Sequence, residues 1–254
     1  MTLSLFPETP YAAAILGAGS GIGRQAALHL AGQGVTVAAI DRDWPRAEET
    51  AALVVKAGGK ATAHAVEATN DAELRAILAE IETDSGGLQA FVNCAAITGQ
   101  TNVKAHDFDM DDFDRVYRIN LRAALVASQA VLPGMVARGY GRLLHVASIA
   151  GKDGNAGMVA YSATKAGLIG MVKSMGKDYA TTGVTVNALA PAVIRTPMVA
   201  ALPQATIDYM TAKIPMGRTG TLDEAAAMIA WIVSPACSFT TGFTFDLSGG
   251  RATY

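Results

Sequence analysis

The sequence predicts an α/β protein, in which helices cover both faces of one parallel sheet of about seven strands. Short apolar runs alternate with helix-like segments along the 254 residues, and short loops join them. A glycine-rich turn follows the first apolar run, as in a strand–turn–helix unit. Because no linker or low-complexity tract interrupts this alternation, we expect a single domain over residues 1–254.

The composition is typical of a protein with a sizeable core, and it argues against several classes of function. Hydrophobic residues make up 51% of the chain, charged residues 17%, and the formal net charge is −2. With no long run of one sign, neither nucleic acid nor an anionic membrane surface is an expected partner. We expect no signal peptide and no membrane span. Cys94 and Cys237 lie among apolar or small residues, which favours free thiols and a cytoplasmic location.

The first predicted strand covers residues 11–16, and the next strand, 35–40, ends at Asp41. A glycine-rich turn and a helix starting near Arg24 lie between them, which together form a βαβ unit. Such a unit predicts a Rossmann-type, doubly wound sheet. The further predicted strands cover 60–66, 88–92, 141–147, 184–188 and 243–246, and the further helices cover 45–56, 71–83, 110–137, 158–180 and 222–233.

The glycine-rich turn from Gly17 to Gly23 is a candidate dinucleotide site. Its four glycines permit a tight turn and a close approach of the backbone to a pyrophosphate at the helix N-terminus. Asp41 is placed to accept hydrogen bonds from an adenosine ribose and to repel a 2′-phosphate, so the sequence favours NAD over NADP. Arg42 leaves the alternative open, because it can turn towards a phosphate. Taken alone, a glycine-rich loop is also compatible with a flexible turn.

The stretch from Ser148 to Lys165 carries candidate acid–base chemistry. Tyr161 and Lys165 are four residues apart on a predicted helix, so their side chains share one face. Lowering the pKa of a tyrosine from about 10 to near 7 corresponds to about 4 kcal/mol. One charge at about 4 Å in an effective dielectric of about 20 supplies that amount. On this stretch alone, a surface tyrosine and lysine on an ordinary helix is an equally good interpretation.

The helix predicted over 110–137 carries one polar residue on an apolar face. Asp109 and Asp112 predict its start as an acidic variant of the capping box. Asn120 falls on the same face as four other residues, which are Phe113, Val116, Tyr117 and Ala124. A buried amide needs hydrogen-bond partners, so Asn120 is a candidate functional residue.

These motifs, taken together, resemble the short-chain dehydrogenase/reductase family nearly from end to end. The matching motifs stand in the family's order and at its usual separations: the glycine loop, Asn93-Cys94-Ala95-Ala96, Asn120, Ser148, Tyr161-x-x-x-Lys165 and Pro191–Thr196. The resemblance implies hydride transfer between NAD(H) and a secondary alcohol or ketone. It also implies a homotetramer.

The resemblance implies a role for each site residue. Tyr161 would be the acid/base, Lys165 would lower its pKa and bind the nicotinamide ribose, and Ser148 would hold the substrate oxygen. Asn120 would anchor a water that relays protons. The implied cofactor-binding set is Gly17, Gly19, Ser20, Gly21, Ile22, Gly23, Asp41, Arg42, Glu67, Ala68, Asn93, Ala95, Tyr161, Lys165, Pro191, Val193, Ile194 and Thr196.

The substrate is defined less sharply. Residues 197–218, which are rich in methionine, are expected to form a lid over it. Lys152, Asn155 and Arg195 flank Ser148, and two cations suit a carboxylate, although solvated loop charges are at least as compatible with the pattern. The four histidines share no ligand spacing, so no metal is expected, and His145 is expected to be a packed strand residue.

Several functions fit this pattern. The Ser148–Asn155 run and the C-terminal residues resemble a bacterial subgroup whose members include sugar-acid dehydrogenases and 3-oxoacyl-carrier-protein reductases. We expect oxidation of a sugar-derived keto-deoxy acid such as 2-keto-3-deoxy-L-rhamnonate or L-fuconate, because NAD suits catabolic oxidation. One alternative is a 3-oxoacyl-thioester or general ketone reductase. An alternative of another class is a non-catalytic dinucleotide-sensing protein.

Overall fold

A parallel sheet forms the centre of the structure, a computed structural model that describes residues 5–7, 10–200 and 204–254. The strands are β1 (Ala12–Leu16), β2 (Thr36–Asp41), β3 (Ala61–Ala65), β4 (Ala90–Asn93), β5 (Gly141–Val146), β6 (Val184–Pro191) and β7 (Thr244–Leu247). Their order is β3-β2-β1-β4-β5-β6-β7, and each neighbouring pair is parallel. The chain winds outward from β1 in both directions, which confirms the predicted doubly wound α/β fold.

Helices cover both faces of this sheet. They are α1 (Gly21–Ala31), α2 (Trp44–Lys56), α3 (Asp71–Asp84), α4 (Met110–Tyr117), α5 (Ala123–Arg138), α6 (Ala150–Asp153), α7 (Val159–Asp178), α8 (Pro197–Ala200), α9 (Gln204–Thr211) and α10 (Leu222–Ile232). Along β1, Ala14 and Leu16 face a core shared with α3, α5 and α7. Ala13 and Ile15 face the opposite core, shared with α1, α2 and α10. This alternation follows from the two-residue period of a strand.

Helices α4 and α5 form one long helix, Met110–Arg138, through a π-helical turn at Arg118–Arg122. By length and composition it is the one candidate membrane span among the described residues, but half of its apolar window is buried inside the protein. α5 packs on α3 and β5, so its apolar face belongs to the core on the sheet.

The π turn shifts the phase of the long helix. A π turn is wider than an α turn, so residues before it do not keep the helical register of those after it. Val116 and Asn120 are buried, as their shared face predicted, whereas Tyr117 is 42% exposed. The prediction that Tyr117 lies on the buried face is therefore wrong.

The start of α4 also differs from the prediction. Asp109 caps the helix by accepting a hydrogen bond from the backbone N–H of Asp111 at 3.0 Å. Asp112 is buried and accepts instead from the backbone N–H of Gln100 at 2.6 Å and from Arg115 Nε at 3.0 Å. The acidic capping box is therefore wrong, and the Asp112 carboxylate anchors the loop that follows β4.

Candidate active site

The predicted site residues collect at one edge of the sheet. In a parallel sheet the carboxyl ends of the strands lie side by side, and ligands bind outside them. Gly17 follows β1, Asn93 ends β4, Ser148 follows β5 by two residues and Pro191 ends β6. The fold therefore brings the glycine loop and the candidate acid–base stretch to the same edge.

The glycine loop is packed so closely that side chains do not fit. A Cβ atom on Gly17, whose φ is +83°, would lie 2.7 Å from the backbone N of Ala95. A Cβ atom on Gly19 would lie 2.7 Å from Asp41 Oδ2, and one on Gly23 would overlap the carbonyl oxygen of Gly17. Glycine is thus required by close backbone approach at Gly17 and Gly23, as the spacing predicted, and by the Asp41 side chain at Gly19.

The start of α1 fits the phosphates of a dinucleotide. Within the described chain, the Ser20 side chain makes no capping hydrogen bond to the helix, and the first turn carries no acidic residue. The first N–H groups of a helix lack intrahelical partners and carry a partial positive charge, which suits an anion. Gly21 and Ile22, the next two predicted contacts, form this first turn.

Asp41 stands beside the loop, where the ribose was predicted. Its Oδ2 accepts a hydrogen bond from the Gly19 N–H at 2.9 Å, and its Oδ1 accepts from the Asp43 N–H at 3.1 Å. Arg42 is exposed next to it. Glu67 is exposed and Ala68 is buried after β3, the neighbour of β2. These residues fit the adenosine end of a dinucleotide.

The segment after β6 reaches the opposite end of the glycine loop. Val193 accepts a hydrogen bond from the Gly220 N–H at 2.9 Å, and Ile194 forms an isolated bridge with the same glycine. A Cβ atom on Gly21 would lie 3.6 Å from Thr196 Cγ2. The structure therefore places Thr196, a member of the implied cofactor-binding set, beside Gly21 of the glycine loop.

Ser148, Tyr161 and Lys165 form the candidate acid–base group. The Ser148 hydroxyl lies close enough to Tyr161 to lower the pKa of its phenol. Lys165 is 2% exposed, and its ammonium donates to the carbonyl oxygen of Val146 at 2.7 Å. Its Nζ lies 5.8 Å from the centroid of the Tyr161 ring. The four-residue spacing thus brings the two side chains onto one face, as predicted.

The pKa of Tyr161 differs from the value near 7 that the sequence suggested. Burial raises the pKa of Tyr161 above its usual value, and the hydrogen bond from Ser148 opposes this only in part. Burial also lowers the pKa of Lys165 to about 8. The expectation that the ammonium alone brings the phenol near 7 is wrong for this structure, because the ammonium is held by Val146 and both groups have lost solvent.

Asn120 is fully buried at the π turn and has found the partners that its position requires. Its Oδ1 accepts from the Ile97 N–H at 2.9 Å, and its Nδ2 donates to the Ile97 carbonyl oxygen at 2.9 Å. Nδ2 also lies 3.3 Å from Thr164 Oγ1, one residue before Lys165. Asn120 thus joins the loop after β4 to helix α7.

The predicted substrate residues have different surroundings. Lys152 is paired with Asp246 at 2.7 Å, and its carbonyl oxygen accepts from the Tyr254 hydroxyl at 2.7 Å. Asn155 Oδ1 accepts from Arg251 Nη2 at 2.9 Å. Arg195 is exposed. The C-terminal residues therefore contact the turn before α7 at Lys152 and Asn155, while Asp153, Gly154 and Ala156 stay exposed.

Sequence reasoning missed Arg251, which is a partner of the predicted substrate residue Asn155. Arg251 also contacts Asp153 at 3.3 Å. Its only sequence signal is its position just after β7, whose carboxyl end lies at the same edge of the sheet as Ser148. Which side chain it would meet there depends on contacts about 100 residues apart in the chain.

A cavity of about 330 Å³ lies between the predicted lid and the C-terminal residues. Ile214, Met216 and Arg218 line it from the lid side, and Asp246 lines it from β7. Helices α8 and α9 lie in the lid, whereas residues 201–203 and the Met198 side chain lie outside what the structure describes.

Comparison with known proteins decides the family. A family model described as enoyl-(acyl carrier protein) reductase matches residues 17–252. A 2-dehydro-3-deoxy-L-rhamnonate dehydrogenase (NAD⁺) of Sphingomonas sp. (strain SKA58) is 40% identical over 242 residues, which cover 95% of each chain. The chain belongs to the short-chain dehydrogenase/reductase family.

Other relatives of this short-chain dehydrogenase/reductase differ in their substrates. A human (3R)-3-hydroxyacyl-CoA dehydrogenase is 35% identical over 94% of each chain. A crystal structure of NAD⁺-bound xylitol dehydrogenase superposes with a TM-score of 0.91 at 26% identity, over 96% of this chain and 100% of that chain. The chain is thus an oxidoreductase of CH–OH groups, as predicted.

Proposed function

We propose that this short-chain dehydrogenase/reductase uses NAD⁺ to oxidise a secondary alcohol of a sugar-derived keto-deoxy acid, such as 2-keto-3-deoxy-L-rhamnonate or L-fuconate. The observation that carries the proposal is the 40% identity, over 95% of each chain, to an NAD⁺ enzyme named for 2-dehydro-3-deoxy-L-rhamnonate. The polar surroundings of Asn155, which include Arg251, suit a hydroxylated and anionic substrate better than an alkyl chain.

NAD is the cofactor that the adenosine end favours. Two backbone N–H groups, from Gly19 and Asp43, hold the Asp41 carboxylate at the predicted ribose position. A fixed negative charge repels a 2′-phosphate, and a carboxylate accepts hydrogen bonds from ribose hydroxyls. The relative named for 2-dehydro-3-deoxy-L-rhamnonate is likewise an NAD⁺ enzyme.

The acid–base step belongs to Tyr161. When bound, NAD⁺ supplies the acceptor for the carbinol hydride. Tyr161 takes the hydroxyl proton of the alcohol as the C–H bond breaks, and Ser148 donates a hydrogen bond to the same oxygen. Lys165 would hold the ribose and, below its pKa of about 8, keeps a positive charge beside the phenol. Because burial raises the pKa of Tyr161, oxidation accelerates with rising pH as the phenolate fraction grows.

Asn120 completes the proton path in this proposal. Its amide is fixed to Ile97 and Thr164 beside Lys165, and the π turn sets it apart from the regular helix. A water held there would pass the proton from Lys165 towards solvent. The path is assigned from the family resemblance and from this position of the amide.

The test is a substrate panel with a matched variant. Wild-type protein with NAD⁺ should turn over keto-deoxy sugar acids. Tyr161→Phe should lower the turnover rate by at least about 10³-fold, while its Kd for NAD⁺, measured by calorimetry, stays within about twofold of wild type. Turnover that survives Tyr161→Phe would refute the mechanism. NAD⁺ binding without turnover of any alcohol would instead favour the dinucleotide-sensing alternative.

The second candidate is oxidation of a 3-hydroxyacyl thioester or reduction of the corresponding 3-oxo compound. It is favoured by the 35% identity to the human (3R)-3-hydroxyacyl-CoA dehydrogenase. The same panel separates the two proposals, because activity confined to acyl thioesters would exclude the sugar acid. Substitution Arg251→Ala adds a second criterion: it should raise KM for a sugar acid and leave KM for an uncharged alcohol unchanged.

We also propose that the chain works in the cytoplasm as a single-domain homotetramer, with residues 197–218 as the substrate lid. Leu125, Val136 and Val159 are apolar residues that α5 and α7 leave partly exposed, at 41%, 36% and 37%. Cys94 and Cys237 are free thiols. Light scattering coupled to size-exclusion chromatography measures the assembly, and a monomeric enzyme with full activity would refute this part.

A further inference from the structure

His145 is a buried, titratable residue to which the proposed chemistry gives no task. It lies on β5, directly opposite Asn93 on β4, and its side chain is 0% exposed. Nδ1 lies 3.3 Å from Asn93 Nδ2, and Nε2 lies 3.0 Å from Ser128 Oγ on α5. Both ring nitrogens therefore have hydrogen-bond partners, one on the sheet and one on the helix.

The direction of each hydrogen bond follows from the backbone at both ends. The N–H of Ala95 has only a hydrogen to offer, and it donates to Asn93 Oδ1 at 3.1 Å. The amide nitrogen of Asn93 must then face His145 and donate to Nδ1. At the other end, the Ser128 hydroxyl donates to the carbonyl oxygen of Ala124 at 2.7 Å, so Ser128 Oγ accepts from the ring.

Both ends require the same form of the ring. Nδ1 must be an acceptor without a hydrogen, and Nε2 must carry the hydrogen. A doubly protonated ring would set two donors against each other at Asn93. It would also place a second cation near Lys165, whose charge together with burial lowers the pKa of His145 to about 3. The ring is therefore a neutral, directional link.

This link ends at the wall of the nucleotide site. Asn93 holds the N–H of Ala95, and Ala95 is the residue that leaves no room for a Cβ atom on Gly17. Two residues further on, Ile97 is held through both backbone groups by Asn120. The segment from Asn93 to Ile97 is thus fixed at one end by Asn120 and at the other by His145.

We propose that His145 is a positioning residue for the nucleotide site: its neutral ring, protonated at Nε2 alone, holds Asn93 and thereby keeps Ala95 against the glycine loop. The proposal rests on the dinucleotide site proposed above. It assigns His145 no contact with substrate or cofactor. Its effect passes through the backbone of residues 93–97, so it acts on cofactor affinity rather than on the acid–base step.

Three substitutions separate positioning from general stability. His145→Leu removes both hydrogen bonds and should raise the Kd and KM for NAD⁺ about five- to tenfold, with kcat at saturating NAD⁺ within about twofold. His145→Asn keeps an acceptor oxygen near the Nδ1 position and should restore the Kd to within about twofold of wild type. Ser128→Ala removes only the helix end, so it should lower the melting temperature without raising the Kd.

The outcomes that overturn the proposal are distinct. Unchanged NAD⁺ affinity in His145→Leu would refute it, and so would equal losses of affinity in His145→Leu and Ser128→Ala, because these indicate general destabilisation. If His145→Leu does not fold, the Kd for NAD⁺ is still compared between His145→Asn and Ser128→Ala. A loss of NAD⁺ affinity in either variant refutes the proposal. If wild-type protein binds no NAD⁺ at all, it is the proposed function that fails.

The form of the ring is measured independently of function. In ¹⁵N-histidine-labelled protein, the His145 signals, identified by their absence in His145→Asn, should show a hydrogen on Nε2 and none on Nδ1. They should remain unchanged between about pH 5 and pH 9. A hydrogen on Nδ1, or titration within that range, would overturn the proposal whatever the substrate.

Discussion

Removing the buried ammonium of Lys165 should change how stability depends on pH. Burial lowers its pKa from 10.5 to about 8. Between these values the unfolded Lys165 side chain binds more protons than the folded one, so the contribution of Lys165 to the free energy of unfolding rises with pH. At 1.36 kcal/mol per pKa unit, the contribution amounts to about 3 kcal/mol between about pH 7 and pH 10.5. The Lys165→Met variant lacks this contribution.

The assay is urea denaturation of both cofactor-free proteins across this pH range. The stability of Lys165→Met relative to wild type should fall by about 3 kcal/mol from the neutral to the alkaline end, because only wild type gains from deprotonation. Lys177→Met, at an exposed position on the same helix, is the control and should follow wild type throughout. Parallel curves for Lys165→Met and wild type would show that the ammonium is not desolvated as the structure indicates.

Two further substitutions test the edges of the site. Gly19→Ala places a methyl group against the Asp41 carboxylate, so KM for NAD⁺ should rise about tenfold with little change in kcat, as measured by steady-state kinetics. Lys152→Ala leaves Asp246 without its ammonium, and Asp246 Oδ1 is already unpartnered among the described residues. The free energy of unfolding of the Lys152→Ala variant should therefore lie about 1–2 kcal/mol below that of wild type. The control variant Lys104→Ala, at an exposed site, should leave the free energy of unfolding unchanged. An equal loss in this control would refute the assignment of the loss in Lys152→Ala to its pairing with Asp246.

Local sequence was sufficient for the fold and for the edge of the sheet at which the predicted site residues meet. Apolar runs such as residues 12–16 lie in the middle of the sheet, buried on both faces, so their boundaries are visible without any partner. The glycine loop was predictable for a similar reason, because four glycines within seven residues are visible in the sequence without any partner. The order of strands then placed Ser148 and Asn93 at the edge occupied by Gly17.

Contacts distant in the chain were not predictable in the same way. The pairing of Lys152 with Asp246 and that of Asn155 with Arg251 join residues about 95 positions apart, so Lys152 and Asn155 looked free for a substrate. The predicted pKa of Tyr161 was wrong for a related reason. Neither the burial of the phenol nor the hydrogen bond from the neighbouring ammonium to the carbonyl oxygen of Val146 could be read from the chain alone.

The π turn is a third feature that the sequence did not show. Regular helical spacing placed Tyr117 and Asn120 on one face, but the extra width of the turn leaves Tyr117 exposed while Asn120 stays buried. The neutral form of His145 could be assigned only once the hydrogen-bond partners of both ring nitrogens were known. As an isolated residue, His145 was predicted correctly as packed, and nothing nearby indicated its partners.

The two hydrogen bonds of the Asp41 carboxylate restrict how this enzyme can diverge. One oxygen supports the glycine loop through Gly19, and the other fixes the Asp43 backbone at the start of α2. A substitution that removes the negative charge of Asp41 would therefore also remove a support of the glycine loop. A change of redox carrier at this position would therefore also need a new support for Gly19, because Asp41 serves both roles.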